Sequence, residues 1–463
     1  MDNISNKVVR IISQKIEFDW NIPFKLNNIR SAIGSGFFID LKGHILTCSH
    51  VINKSKKTMV QIPSIGKDRF ETEIVADCPF FDMALLKIKG YKNTHCLKLG
   101  DSKKINFGDE SIAIGYPLGQ NNLKITKGII SGKEDGDFQT DTPINPGNSG
   151  GPLIVKGKVI GINASGYDDS QNVGYAKPIN LYNLIKKNII GKKNLLVKRP
   201  SLGILYNYLN DDYMKLYGSK CKNGVLIHYI FKNSPIYKAG LRKGHILCSI
   251  NNINIDNYAM LDKVWLKDKM SLYEIILELE NNKNVNIEFF DGKKLVKKNF
   301  LFTYFTPNIE KKFPTYENID FICIGGIILM NLTKNLIEKV IVNMKNEMNT
   351  KNILKYSEIQ NQDSPKIIVT EILPNSILHN LNVIKKYDII SEINDKKITS
   401  VDDIRKNLLK PLKKKKNLFI KFKTEDNTES VFELKNILEN ESNLSNTFQY
   451  TKDKVFNKLE KLL

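Results

Sequence analysis

The N-terminal part of the chain, to about residue 190, is made of short β-branched runs that end at Gly, Asn, Asp or Pro. Examples are residues 35–39, 43–47, 111–115 and 158–162. Because such runs are short and separated by turns, they favour an antiparallel barrel or sandwich over a parallel sheet with crossover helices. A helix is expected at 179–190, and the basic stretch 191–200 has the composition of a linker.

The remainder of the chain contains a loosely kept internal repeat with a unit of about a hundred residues. The pieces of its first copy lie at 224–227, 233–235, 239–241, 243–247 and 250–251. The corresponding pieces of its second copy lie at 366–369, 374–376, 386–390 and 393–394. Strand, turn, short helix, strand and turn recur in the same order, which predicts two related domains. The last residues, 439–463, fit a weak helix or a frayed tail.

Length and charge limit the class of protein. A chain of 463 residues is long enough for about three domains. Lys and Arg number 70 against 49 Asp and Glu, so the formal net charge is +21, and such an excess attracts anionic partners. Nucleic acid is therefore a candidate partner, but lysines occur throughout the chain and favour a compositional bias. The lysines at 413–416 fit a nuclear-localisation or nucleic-acid contact, or a solvated turn, which we favour because no aromatic residue interleaves them.

The cysteine pattern and the N-terminus bear on the compartment. Six single, widely spaced cysteines are typical of small buried residues in a reducing compartment rather than of disulfides or zinc ligands. The first 20 residues lack the apolar stretch and cleavage site of a secretory signal. The longest apolar stretch, 321–330, has about half the length that spans a bilayer. We therefore expect a soluble, intracellular protein, cytoplasmic or nuclear, with no membrane span.

Residues 145–152, Asn-Pro-Gly-Asn-Ser-Gly-Gly-Pro, have the character of a nucleophile loop. Glycines on both sides of Ser149 permit the tight backbone path that exposes a hydroxyl and let a substrate backbone approach closely. The amides of Gly147 and Ser149, with that of Asn148 as a further candidate, would form an oxyanion hole. Taken alone, the segment also fits an ordinary polar loop.

A serine hydroxyl needs a base within hydrogen-bond reach, and His50 is the candidate because it directly follows the expected strand 43–47. Asp82 stands at the start of another apolar strand, where its carboxylate can orient the imidazole. A packed histidine and a turn aspartate are common when each is considered alone. The order His, Asp, Ser, each at a strand edge, is that of the chymotrypsin arrangement and predicts a catalytic triad.

These residues and their surroundings resemble the HtrA/DegP proteases, and in detail the plant-type Deg proteases with two PDZ domains. The matching segments are 34–37, 46–51, 82–86, 113–119, 126–131, 139–141 with the nucleophile loop, and 172–179. The leading segment 18–24 is also similar to that subgroup. Cys48 and Ser49 depart from the family's Asn-Ala before the histidine, but both residues are small, so we expect activity to be retained.

The resemblance implies a mainly β fold, in which a chymotrypsin-like double β-barrel protease domain is followed by two PDZ-like α/β domains. The expected bounds are 1–192 for the protease domain, 197–305 and 318–438 for the PDZ domains, and 439–463 for a C-terminal tail or helix. Leu202, Gly203 and Ile204 would form the loop that binds a peptide carboxylate, although a plain loop-to-strand junction is the alternative. Residues 325–328 hold the corresponding place in the second PDZ domain, where an interface role competes with peptide binding.

The resemblance also implies misfolded or regulatory proteins and peptides as substrates, no cofactor and no metal. It implies a homo-oligomer built from trimers, and loops 118–126 and 134–142 that switch between inactive and active order. A chaperone or PDZ scaffold with a resting protease site is the alternative function.

Substrate preference follows from the residues ahead of the nucleophile. Trypsin-like enzymes carry an aspartate six residues before the serine, where this chain has Pro143, followed by Ile144. A cationic side chain would be buried there without a counter-charge, so we expect cleavage after small or medium aliphatic residues. Tyr175 and Ala176 complete the expected pocket, and residues 175–178 are expected to offer an edge strand to the substrate backbone.

Overall fold

The computed structural model of this chain describes residues 4–25, 27–166, 173–189, 195–265, 268–342 and 351–463. The chain forms two compact units, Met1–Ile16 with Asn28–Phe305, and Glu17–Asn27 with Thr306–Leu463. In these described residues no helix is long and apolar enough to cross a membrane. Of the segments considered above, residue 172, residue 190 of the expected helix and the linker residues 191–194 lie outside the described part.

The first unit begins with two closed antiparallel barrels of six strands each. The first barrel contains β1 (Val8–Ile16), β2 (Ile29–Phe38), β3 (His44–Thr47), α1 (Ser49–Ile52), β4 (Ser55–Gln61), β5 (Arg69–Cys78) and β6 (Met83–Ile88). The second contains β7 (Glu110–Gly115), β8 (Lys124–Glu134), β9 (Asp137–Thr140), β10 (Pro152–Val155), β11 (Lys158–Gly166) and β12 (Gly174–Pro178), followed by α2 (Leu181–Ile189). The prediction of antiparallel barrels from short β-branched runs is confirmed.

The rest of the first unit is a sheet in the order β13-β14-β15-β19-β20 with short helices, at the place of the first expected PDZ domain. Its elements are β13 (Ile204–Asn207), α3 (Asp211–Leu216), β14 (Val225–Ile230), α4 (Pro235–Lys238), β15 (Ile246–Ile250), β16 (Ile253–Asn254), β17 (Met260–Trp265), β18 (Asp268–Ser271), α5 (Leu272–Leu277), β19 (Lys283–Phe290) and β20 (Leu295–Phe302).

Trp265 joins this sheet domain to the second barrel. Its indole Nε1 donates to the Ser102 carbonyl at 3.2 Å, and its ring meets the Phe138 ring edge-on at 5.7 Å between centroids. Around it, Glu278 accepts from Lys103 and Lys263 at 2.8 and 2.6 Å. A large amphipathic ring with a satisfied N–H is suited to such a contact.

The second unit is a sheet in the order β21-β22-β23-β24-β27-β26, with helices on it. Its elements are β21 (Phe321–Ile324), β22 (Ile327–Asn331), α6 (Lys334–Val342), α7 (Lys351–Leu354), β23 (Ile367–Ile372), α8 (Ile377–Leu381), β24 (Ile389–Ile393), β25 (Lys396–Lys397), α9 (Val401–Leu408), β26 (Leu412–Lys414), β27 (Asn417–Thr424), β28 (Glu429–Glu433), α10 (Leu434–Phe448) and α11 (Phe456–Leu459).

The leading segment 17–27 belongs to this second unit and packs on it. Thr370 donates to the Asn21 carbonyl at 2.8 Å, Trp20 packs on the apolar cluster around Leu336 and Ile368, and the Phe24 ring lies tilted against the Tyr450 ring. The chain end also packs here, since α10 begins before the expected boundary at 438 and Phe456 and Leu459 are buried.

Two composition-based interpretations can be compared with the structure. Lys413 and Lys414 end β26, Lys415 and Lys416 form its turn to β27, and all four are exposed, so the solvated turn stays a prediction. The interpretation of all six cysteines as unpaired is wrong, because the structure joins Cys221 and Cys248 in a disulfide with Cα atoms 5.9 Å apart. The fold brings together two residues that stand 27 positions apart, which their spacing does not reveal.

Candidate active site

His50 and Asp82 come together because β3 and β6 are paired antiparallel, with Thr47, three residues before His50, opposite Ala84, two residues after Asp82. The His50 Nδ1–H donates to Asp82 Oδ2 at 2.7 Å, and the His50 amide donates to Asp82 Oδ1 at 2.8 Å. Asp82 takes a left-handed φ of 48°, and this sharp turn aims its carboxylate at the first turn of α1. The carboxylate therefore fixes both the ring and the backbone of the histidine.

Ser149 lies at the junction of the two barrels. Its carbonyl accepts from the Ser35 amide at 2.9 Å, and the Ser35 hydroxyl donates to the Gly147 carbonyl at 2.7 Å. Gly150 has φ +87°, and a Cβ there would lie 3.1 Å from the Cys48 amide nitrogen. The loop therefore needs glycine at 150 to seat Ser149 beside the segment that carries His50.

The Ser149 hydroxyl is hydrogen-bonded outside the predicted triad. The Ser149 hydroxyl donates to the Ala164 carbonyl at 2.8 Å, and among the described residues it makes no hydrogen bond with His50. Ala164 lies in β11 at a register shift against β12, so it stands out of the regular ladder. This contact could not be predicted from the sequence, since only the strand pairing shows where the register shift lies.

The backbone around the nucleophile bears on the expected oxyanion hole. The Asn148 amide donates to the Asn145 carbonyl at 2.9 Å, so it is already used within the loop. Within the described part of the chain, no acceptor meets the amides of Gly147 and Ser149. The N–H groups of these two residues are therefore the candidate donors for an oxyanion hole.

Two neighbours of the triad were not predicted to take part in the site. Lys15 Nζ donates to the His50 carbonyl at 2.6 Å, and burial lowers the pKa of this lysine, with further lowering by Lys54 and an opposing effect of Asp82. The Cys48 thiol donates to the Asn163 carbonyl at 3.2 Å. Nothing in the pattern around Lys15 singles it out, whereas Cys48 was noted as a departure from the family.

Cys48, His50 and Asp82 also bring three ligand-type atoms within 4.8 Å of one another. The Cys48 side chain is fully buried, and burial raises the pKa of its thiol well above the usual value. A metal ion is bound by a thiolate, which this environment opposes. The three groups therefore suit a proton-handling site better than a metal site.

Pro143 and Ile144, two of the residues expected to line the specificity pocket, differ in burial. Ile144 is buried in the core of the second barrel, but Pro143 is exposed and its carbonyl accepts from the Thr126 hydroxyl at 3.0 Å. Asp141, the nearest carboxylate before the nucleophile, accepts from the Ile129 amide at 2.6 Å. This aspartate is therefore engaged with β8.

Tyr175 and Ala176 lie in β12, and the expectation of an edge strand at 175–178 is wrong for these two residues, which pair on both sides, whereas residues 177–178 pair with β11 alone. Strand β12 pairs with β11 on one side and with β9 on the other, because the barrel is closed. The local sequence marks a strand correctly but does not show which strands flank it.

The expected carboxylate loop of the first PDZ domain leads into a sheet edge. Leu202 is buried in the domain core, Gly203 takes φ +72°, and Ile204 begins β13. The Gly203 amide donates to the Ser201 hydroxyl at 3.1 Å, so this amide already has a local acceptor. Strand β13 pairs with β14 only, and in the described residues its other edge is open.

Comparison with known proteins agrees with this arrangement. Residues 34–162 match the trypsin-like peptidase domain family, and residues 311–454 match the PDZ domain family. A probable periplasmic serine endoprotease of DegP-like type from Pseudomonas putida is 34% identical over 276 residues, which is 56% of each chain. The periplasmic serine endoprotease DegP of Escherichia coli is 33% identical over 244 residues, 50% of each chain. The chain spans about half the length of these curated relatives.

Two further matches extend over more of the chain. A DegP-like protein of Rickettsia prowazekii is 29% identical over 427 residues, covering 87% of this chain and 76% of the relative. The solved structure of the HtrA-type protease AlgW with a tripeptide is 25% identical with a TM-score of 0.51, covering 65% of this chain and 95% of that one.

The comparisons correct one prediction. The relatives are named as periplasmic, so the expectation of a cytoplasmic or nuclear protein is wrong. Over its double barrel and its PDZ domain, the chain is similar to the DegP-like serine endoproteases and to the HtrA-type protease AlgW.

Proposed function

We propose that this protein is a serine endopeptidase in which His50, Asp82 and Ser149 form the catalytic triad. The observation that carries the proposal is the double hydrogen bond from His50 to the Asp82 carboxylate, beside a serine seated by Ser35 and Gly150. Such a carboxylate holds the imidazole in the tautomer whose Nε2 can accept a proton. No cofactor takes part in this chemistry.

The reaction begins with a change in the Ser149 hydroxyl. It must leave the Ala164 carbonyl and donate to His50 Nε2, which removes its proton as Oγ attacks the substrate carbonyl carbon. The amides of Gly147 and Ser149 then donate to the developing oxyanion. His50 returns the proton to the leaving amine, and in the second half it activates water to release the acyl group.

The proposed substrates are misfolded or regulatory proteins cut after small or medium aliphatic residues. Ile144 is apolar, and the nearby Asp141 carboxylate is held by the Ile129 amide rather than free to pair with a cation. A buried lysine or arginine side chain of the substrate would therefore remain unpaired. By resemblance to the family we also propose a homo-oligomer built from trimers, which size-exclusion chromatography with light scattering tests directly.

The open edge of β13 supports peptide binding by the first PDZ domain. An extended peptide can add to such an edge through main-chain hydrogen bonds, while backbone amides capture its carboxylate. The Leu202–Ile204 segment stands at the start of this strand, as such capture requires.

Casein hydrolysis by the full chain tests the proposal, with cleavage sites mapped by mass spectrometry. Ser149→Ala should lower the rate by about a thousandfold or more. Ser131→Ala, at an exposed position of β8, serves as the matched control and should leave the rate unchanged. Cleavage after lysine or arginine would contradict the apolar pocket, and equal rates for Ser149→Ala and wild type would contradict the triad.

A second candidate, a chaperone or scaffold with a resting protease site, is favoured by the hydrogen bond from Ser149 to Ala164. If neither wild type nor Ser149→Ala cuts unfolded casein with a PDZ-binding peptide added, this candidate takes precedence. Suppression of light scattering by an aggregating client protein would then support it.

A further inference from the structure

The two PDZ-like domains share an order of core elements, and one of their differences is a strand at the edge of the sheet. In sequence order, β22, β23, β24, α9 and β27 of the second domain take the places of β13, β14, β15, α5 and β19 of the first. Each domain has a glycine-containing loop directly before the first of these matched strands, at Gly203 before β13 and at Gly325-Gly326 before β22. The second domain has an additional strand, β21, ahead of that loop.

Strand β21 occupies the edge that is open in the first domain. It runs antiparallel to β22 along its whole length, from Phe321 opposite Met330 to Ile324 opposite Ile327. The other edge of β22 is paired with β23. A peptide that adds to a PDZ sheet would need the position held by β21, with its C-terminus at the loop.

The loop also holds a carboxylate that comes from the domain itself. The Gly325 amide donates to Glu441 Oε2 at 3.0 Å, and the Tyr450 hydroxyl donates to Glu441 Oε1 at 2.6 Å. Glu441 projects from α10 and is 1% exposed. A carboxylate captured by a backbone amide at the end of an added strand is what a bound peptide C-terminus would provide.

Packing shows that this occupant is not exchangeable. Ile322 and Ile324 of β21 are buried in the domain core with Ile437 of α10. Displacement of β21 by a free peptide would expose both isoleucines and leave Glu441 without its amide donor. Both changes carry a large cost in a close-packed interior.

We propose that the second PDZ domain is filled by its own chain: β21 takes the place of a peptide strand, and Glu441 supplies the carboxyl group. The domain is therefore closed to C-terminal carboxylates of other proteins. Peptide capture in this chain falls to the first PDZ domain, at the open edge of β13. This inference concerns the second unit and does not depend on peptidase activity.

Photo-crosslinking of the full chain tests the closed groove, with Ser149→Ala present to prevent cleavage. The probes are decapeptides with a benzophenone side chain and a free, apolar C-terminal residue, compared with the same peptides amidated. We expect no carboxylate-dependent cross-links in residues 321–331 or 401–408. Carboxylate-dependent cross-links in either segment would overturn the proposal.

Hydrogen–deuterium exchange tests the internal carboxylate separately. Glu441→Ala should speed exchange of the Gly325 amide by about fivefold or more, because its acceptor is lost. Glu441→Gln retains an acceptor oxygen and should give a smaller change. Glu439→Ala, at an exposed position of the same helix, is the matched control. An unchanged Gly325 amide in folded Glu441→Ala protein would refute the assignment of Glu441 as the loop's ligand.

Discussion

The buried Glu441 carboxylate should make the stability of the second unit fall as pH rises. Burial raises the pKa of Glu441 to about 7, against the ordinary 4.5, and outweighs the lowering by Tyr450, Gly325 and Lys452. The groups that face it are the Tyr450 hydroxyl, the Gly325 amide, the Cys323 thiol and the more distant Lys452 ammonium. Because none of these offers a close cation, ionisation in the folded state is disfavoured.

Proton linkage gives the sign and the size of this change in stability with pH. The folded state keeps its proton to about pH 7 while the unfolded chain loses it near 4.5, so the free energy of unfolding falls between these values. Each pH unit is worth about 1.4 kcal/mol, which gives a loss of about 2.5 kcal/mol between pH 5 and pH 8. Glu441→Gln carries no such proton, so its stability should lack this part of the slope.

The two tryptophans allow the second unit to be observed alone. Trp20 packs within the second unit and Trp265 within the first, so a Trp265→Phe chain reports unfolding of the second unit by fluorescence. Urea denaturation at pH 5 to 8 should show a steeper pH dependence of stability for the chain that retains Glu441, and for the control Glu439→Gln, than for Glu441→Gln. Parallel curves of unfolding free energy against pH for the chain with Glu441 and for Glu441→Gln would refute the reasoning, whatever their absolute stabilities.

Three other changes test contacts in the first unit. Trp265→Ala should lower the protection of residues 204–302 against hydrogen exchange by about 2 kcal/mol, because a partly buried indole and its hydrogen bond are lost; unchanged protection would contradict the docking contact. Reduction of Cys221–Cys248 should cost about 3 to 4 kcal/mol for a loop of 27 residues, as seen in urea curves with and without dithiothreitol. A chain with both cysteines changed to serine should not respond to the reductant. If the proposed peptidase activity holds, Ser35→Ala should lower kcat about tenfold with little change in KM, since Ser35 seats the Gly147 carbonyl; a change in KM alone would exclude this positioning role.

The sequence was informative where a function constrains a short segment. The glycines around Ser149, the strand before His50 and the strand after Asp82 are each patterns of a few residues, and they brought these three residues forward as candidates. The barrels could be predicted for a similar reason, because strand length and turn residues are local properties. These features do not require knowledge of what lies next to them in space.

The misjudged features depend on contacts between distant segments. Whether 175–178 is an edge depends on β9 and β11 closing around it. The disulfide depends on β15 lying beside the loop at Cys221. Periodicity and composition describe one segment at a time, so neither could have shown these neighbours.

The comparison of the two PDZ-like domains shows why a repeat in sequence does not imply a repeat in function. Both copies preserve the turn and strand pattern that builds the sheet, and this pattern made the repeat detectable. The difference lies outside the pattern: four residues of β21 precede the loop, and Glu441 follows the last repeated strand by several residues. An apolar stretch at 321–330 therefore has a specific meaning here, since its two halves fold back on each other and close the edge that the first domain leaves open.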